Sequence, residues 1–287
     1  MPTNAVGKCH PPVPVRAGND LPQCFLARTI VVILQTKIIK QMIPYWMSRT
    51  QLLLGDDITQ QLMDKNVLVV GLGGVGGICA EMIARSGVGR MTIVDGDTVD
   101  LSNGNRQVAA LHSTEKQLKT AVMAARIKDI NPAIDVTAIA EFIKEERTVE
   151  IVEAGNYDYV VDCIDTLTPK VWLIKTCVDR KIPVVSSLGA GGKMDPSQIQ
   201  VADIADSYKC KLARYVRKYL HKEGITTGVT VVFSPEEIDA DKIVVTEKAF
   251  PKKSIIGTIS YMPALFGCLA ASVVVRALCT GNDHTLS

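Results

Sequence analysis

None of the eight cysteines in this 287-residue sequence forms a Cys-x-x-Cys pair. That absence argues against a four-cysteine zinc site. Cys9, Cys24, Cys79, Cys163, Cys177, Cys210, Cys268 and Cys279 are scattered, several of them through apolar stretches. Such cysteines read as small buried hydrophobes in a reducing cytosol. Net charge is almost lacking too. The 32 basic and 30 acidic residues leave +2, so any attraction to nucleic acid or membrane must come from a local patch. No internal repeat is found, which leaves one large α/β domain or two small ones. A secretory leader is also missing from the pattern of the first 47 residues. Arg28, Lys37 and Lys40 interrupt the apolar segment, and the longest apolar run there, Thr29 to Leu34, is too short to span a bilayer. Residues 1–47 read as an extension outside the domain, with Met42 or Met47 as a candidate start. A membrane-surface or targeting segment is the alternative.

From Asn66 onward, strand and helix signals alternate. Strands are predicted over Asn66–Val70, Met91–Val94, Ile134–Ala140, Tyr157–Asp162 and Pro183–Ser187, with later ones at Ile199–Val201, Val229–Phe233 and Ile243–Val245. Helices are predicted over Val75–Ser86, Glu115–Ile130, Thr148–Ala154 and Pro169–Arg180. This order implies a doubly wound, mostly parallel Rossmann-like sheet with helices on both faces. A C-terminal extension of strands, a basic helix and an apolar helix follows it. The apolar segment, Ser254 to Val275, carries no charge and is long enough to be a membrane candidate. Its Pro263 and its small residues favour a buried helix, or one at a dimer interface.

Gly71-x-Gly73-Gly74-x-Gly76 follows a strand and opens a helix. Glycines permit a tight turn and close approach of phosphate, and the helix N-terminus supplies unpaired N–H groups. Asp95 ends the next strand, about twenty residues on, where a carboxylate accepts bonds from ribose hydroxyls. So far NAD and ATP fit equally. Asp97, Asn105, Arg106 and Gln107 come next, and Lys119 opens the following helix. Taken alone, Arg106 and Lys119 would be solvated surface charges. Placed after this loop, they suit a triphosphate whose charge shifts as pyrophosphate leaves. Asp162 and Asp165 end another strand. Asp165 suits Mg²⁺ on the phosphates, and either aspartate suits the N-terminus of the next helix.

These separated motifs together resemble the ubiquitin-activating-enzyme superfamily of ThiF/MoeB/HesA-like adenylating proteins. The matching pieces are GLGGVGG, IVDGD, LSNGNRQ, Lys119, INP at Ile130–Pro132 and DYVVDCIDT. The resemblance implies that Asp95 holds the ribose, that Asn105, Arg106 and Lys119 hold the phosphates, and that Asp165 holds Mg·ATP. It also implies that Arg49 serves the site of a partner subunit in a homodimer. Val184–Ile204, RTQLLLG and VFSPE are similar to the tRNA threonylcarbamoyladenosine dehydratase branch, over roughly Arg49 to Leu278. The domain is accordingly placed at 48–287.

What that branch implies is adenylation of a threonine carboxylate on a modified adenosine beside the tRNA anticodon, followed by intramolecular attack that releases AMP. No committed thioester cysteine is evident, in keeping with such a mechanism. A sulfur-relay protein stays open as a partner, although no cysteine precedes VFS here. An adenylating enzyme for a ubiquitin-like sulfur carrier is the competing reading. A nucleotide-binding scaffold and an NAD oxidoreductase stand behind it, both disfavoured by the charged residues. The basic stretch Tyr208–Lys222 would, as a helix, bury Leu212, Val216, Tyr219 and Leu220. It would expose Lys211, Arg214, Arg217 and Lys218 to RNA phosphates, with tyrosines for base stacking.

Overall fold

The computed structural model describes residues 42–245 and 254–280. The expectations for residues 1–41 lie outside the described residues. Among the described residues nine strands and eight α-helices occur. In chain order these are α1 (Ser48–Leu54), α2 (Asp56–Asp64), β1 (Asn66–Val70), α3 (Gly76–Arg85), β2 (Arg90–Val94), α4 (Lys119–Ile130) and β3 (Asp135–Ile139). Next come α5 (Glu145–Ala154), β4 (Tyr159–Asp162), α6 (Leu167–Asp179), β5 (Val184–Ser187), β6 (Gln200–Asp203) and α7 (Lys211–Lys222). The last are β7 (Thr230–Phe233), β8 (Ile243–Val245), β9 (Ser254–Ile256) and α8 (Tyr261–Thr280).

Seven strands form one sheet in the order β3-β2-β1-β4-β5-β7-β6, parallel except for the β6–β7 pair. Central strands β1 and β4 are β-branched and buried along nearly their whole length, as expected of strands covered on both faces. The chain leaves β1 toward β2 on one side, whereas β4 lies on the other. That reversal opens a crevice at the carboxyl ends of β1 and β4, where open α/β sheets bind ligands.

One predicted boundary moves by a full turn. The helix expected from Glu115 begins only at Lys119, because residues 112–118 form a 3₁₀ turn and a bridge between Thr98 and Leu118. Met47, placed by the sequence in the extension, is buried and lies directly against Gly87, so its side chain belongs to the core.

The charge-free C-terminal run is not one helix. Ser254–Ile256 is a strand, and the helix begins at Tyr261. Helix α8 is long and apolar enough to cross a membrane, but half of that span is buried within the domain. It lies on α3, with Met262, Phe266, Ala270, Val274 and Leu278 in the core. Gly267 allows this approach, since a Cβ there would fall 2.4 Å from the carbonyl oxygen of Val75. Gly267→Ala should therefore cost about 1–3 kcal/mol, read as a melting temperature lower by several degrees.

Candidate active site

The crevice holds a cavity of about 1080 Å³, whose walls come from the ends of β1, β2 and β4 and the starts of α4, α5 and α6. The glycine loop forms its floor, and the glycines divide the work. Gly71 has a φ of 89° and leaves no room for a Cβ, which would lie 2.8 Å from the Cys163 carbonyl oxygen. A Cβ on Gly76 would fall 1.7 Å from the Gly71 carbonyl oxygen. At Gly73 the nearest atom to such a Cβ is Gln107 Nε2, at 3.9 Å, and the residue lines the cavity. Gly74 was expected on the nucleotide. It faces instead Pro263 at the start of α8, 2.9 Å from its own Cβ position. Gly71 and Gly73 thus face the cavity, while Gly74 and Gly76 make the loop compact.

Asp95 leaves β2 at the cavity wall. Its Oδ2 accepts from the Leu72 N–H at 2.6 Å and its Oδ1 from the Asp97 N–H at 2.8 Å. Burial pushes this carboxyl above its ordinary range, opposed by the Lys119 charge and those two N–H groups. Lys119, the first residue of α4, is almost fully buried and donates to Asp97 Oδ2 at 3.0 Å. Two expected ligands therefore meet each other. The loop LSNGNRQ forms a 3₁₀ turn capped by Asp100, which accepts from the Ser102 N–H at 2.8 Å. This turn delivers Arg106 to the cavity wall, where its guanidinium donates to the Ser102 carbonyl at 3.0 Å and to Asn105 Oδ1 at 2.7 Å. Asn105 is not on the wall. Its amide donates to the Thr258 carbonyl at 2.9 Å, and its Oδ1 accepts from Arg106.

Asp162 and Asp165, both open as helix caps by sequence, part company. Asp165 lines the cavity, whereas Asp162 is fully buried and paired with Lys170 at 2.6 Å. The helix start at Leu167 has Thr166 as its N-cap, without a side-chain hydrogen bond. Arg49 is exposed on α1 and is absent from the cavity of its own chain.

Three further parts of the wall escaped the sequence reading. Phe142 lies against Gly96, and Ile143 and Lys144 follow it after β3, while Pro169 and Trp172 come from α6. The strand-end rule was the available signal, because residues 140–144 leave β3 at the same sheet edge.

The residues fit a nucleoside triphosphate. Gly73 leaves open the space that a Cβ would fill, and Gln107 Oε1 is buried without a hydrogen-bond partner. Arg106, Lys119 and the α3 N-terminus supply positive charge on one side, and Asp165 a carboxylate on the other. Among the described residues no group of three His, Cys, Asp or Glu could hold a metal alone. A cation at Asp165 would therefore share its coordination with phosphate oxygens and water.

Residues 47–287 match the ThiF family model. The chain belongs to the ThiF family. Within ThiF proteins, it is 42% identical to the tRNA threonylcarbamoyladenosine dehydratase of Bacillus subtilis, over 80% of this chain and 93% of that one. The crystal structure of E. coli tRNA N6-threonylcarbamoyladenosine dehydratase, TcdA, in complex with ATP superposes with a TM-score of 0.73 at 35% identity. That match covers 82% of this chain and 94% of that one. The E. coli molybdopterin-synthase adenylyltransferase is 34% identical, but over only 57% of this chain and 64% of its own length. The ThiF fold expected from the motifs is thus the observed one.

Away from the cavity, α7 buries Ala213, Val216 and Leu220 along one face. Lys211, Arg214 and Lys218 are exposed as expected. Tyr219 is not buried as expected, and stands 42% exposed beside Tyr215 at 38%. Arg214 lies 5.2 Å from the Tyr215 ring centre, and Lys222 5.1 Å from that of Tyr219. Arg217 corrects the expected basic face, because its guanidinium turns inward and donates to the Ser207 and Ile204 carbonyls. It staples the helix to the preceding turn instead of facing solvent.

Proposed function

We infer that this chain is an ATP-dependent tRNA threonylcarbamoyladenosine dehydratase. The observation that carries this reading is the match to such enzymes over nearly their whole length, around a cavity whose charges suit a triphosphate. A carboxylate resists attack because its oxygen is a poor leaving group. Its oxygen attacks the α-phosphorus of ATP, an acyl-adenylate forms and pyrophosphate departs. A neighbouring atom of the same substituent then attacks the activated carbonyl and expels AMP. The second step is intramolecular, so high effective concentration replaces a protein nucleophile. Asp95 serves the ribose in this scheme, and Arg106 and Lys119 serve the phosphates. Asp165 would hold Mg²⁺, which supplies charge neutralisation on the phosphates.

The tRNA backbone meets Lys211, Arg214 and Lys218, and Tyr215 and Tyr219 offer stacking surfaces. Arg217 is left out of that set by its inward bonds. A homodimer, in which Arg49 of each chain serves the other's site, accounts for an exposed arginine beside the apolar Leu52 and Leu53, each 82% exposed. The cytoplasm, where the tRNA is, is the compartment proposed.

The test is direct. The protein is incubated with Mg·ATP and tRNA bearing threonylcarbamoyladenosine, and the nucleosides are weighed. Loss of one water from that nucleoside, with AMP formed in step, is the expected result. Unchanged nucleoside from folded, ATP-binding protein would overturn the assignment.

A further inference from the structure

Lys170 is an unusual lysine, with no exposure at all, at the end of the first turn of α6. Burying a charge is costly unless it is paired and every donor is satisfied. Here both conditions hold. Its ammonium group donates to Asp162 Oδ2 at 2.6 Å, to Ser186 Oγ at 3.1 Å and to the Ser187 carbonyl at 2.8 Å, so its three protons all find acceptors. Ser186, opposite Asp162 in the β4–β5 register, also donates to Asp162 Oδ2 at 2.6 Å. The network joins the carboxyl ends of the two strands.

Asp162 has one more bond, and it leads to the site. Its Oδ1 accepts the Ile164 N–H at 3.0 Å, which fixes the Cys163–Ile164 peptide. That peptide is the surface on which Gly71 rests. The Gly71 Cβ position lies 2.8 Å from Cys163 O, 2.9 Å from Cys163 C and 3.3 Å from Ile164 N. The next residue, Asp165, lines the cavity. A chain of contacts therefore runs from Lys170 through Asp162 to the turn between the glycine loop and Asp165.

We propose that Lys170 is a positioning residue for the nucleotide: it neutralises Asp162 and sets the Cys163–Asp165 turn against the glycine loop. Without Lys170, the buried Asp162 carboxylate would lose its ion-pair partner, and its hold on the Cys163–Asp165 turn would loosen. The proposal rests on reading the cavity as the ATP site.

The experiment measures Mg·ATP binding by calorimetry, without tRNA, on the full chain. A parent protein that does not bind ATP would sink the reading of the cavity, whatever the variant does. With a binding parent, Lys170→Met should bind about tenfold more weakly when measured well below its melting temperature. A purely structural lysine would lower the melting temperature and leave the affinity of the folded protein alone. Folded Lys170→Met with parental affinity overturns the proposal. Should Lys170→Met not fold, Ser186→Ala decides, since it keeps both charges and removes one bridge. It should melt within a few degrees of the parent and bind roughly threefold more weakly. Parental affinity in that variant overturns the proposal instead.

Discussion

Arg106→Ala should lower turnover by about 10²–10³-fold while the melting temperature stays near that of the parent. Among the described residues the guanidinium bonds to the Ser102 carbonyl and Asn105 Oδ1, both on the exposed loop, so little stability depends on it. Its place on the cavity wall suits charge that develops as pyrophosphate departs. An interaction made mainly in the transition state lowers kcat and kcat/KM together. Single-turnover AMP formation checks this. A rise in the KM for ATP with kcat unchanged would reassign Arg106 to ground-state binding. Lys119 makes a less clean test, because removing it also leaves Asp97 without its partner.

The second large effect separates two glycines of one loop. Gly76→Ala has no space, as its methyl would meet the Gly71 carbonyl at 1.7 Å, and backbone cannot rotate away as a side chain does. A loss of about 3 kcal/mol or more is expected, a melting temperature lower by roughly 10 °C, together with loss of ATP binding. Gly73→Ala should behave oppositely. Gly73 does not need a left-handed backbone, and among the described residues beyond its chain neighbours the nearest atom to its methyl would be Gln107 Nε2 at 3.9 Å. Its melting temperature should hold or rise slightly, since alanine restricts the unfolded chain. Its methyl would occupy the phosphate's approach, so ATP affinity should fall by about tenfold or more. Thermal melts with and without Mg·ATP distinguish the two. Equal behaviour of both variants would refute the division of roles among the glycines.

Much of this site was legible because its signals are local. A strand, a glycine loop and a helix start are adjacent in sequence, and their geometry follows from backbone rules. Asp95 was found by the same logic, one strand further on. What stayed hidden depends on pairings that sequence does not display. Asp165 was singled out by sequence for Mg·ATP, but the burial of Asp162 among Lys170 and Ser186, reached across α6 and β5, was not visible there. Sequence also does not display that Pro263, nearly two hundred residues on, packs against the Cβ side of Gly74. Arg217 fits a basic stripe by helical spacing, but spacing does not reveal the carbonyls of Ile204 and Ser207 at the end of its reach. For the apolar C-terminal run, hydropathy alone gave a membrane signal, while its small residues pointed to the burial that packing on α3 provides.

The seat of α8 against the glycine loop also has a consequence for how the protein is made. Pro263 backs Gly74, and Gly267 backs Val75, so the loop near the start of the domain is braced by residues near its end. A ribosome delivers the loop early and its brace late. On the emerging chain, β1 and its glycines wait for nearly all of the remaining domain before the brace arrives. Nucleotide binding is therefore a property of the finished polypeptide, and nascent chains released before α8 should not retain ATP.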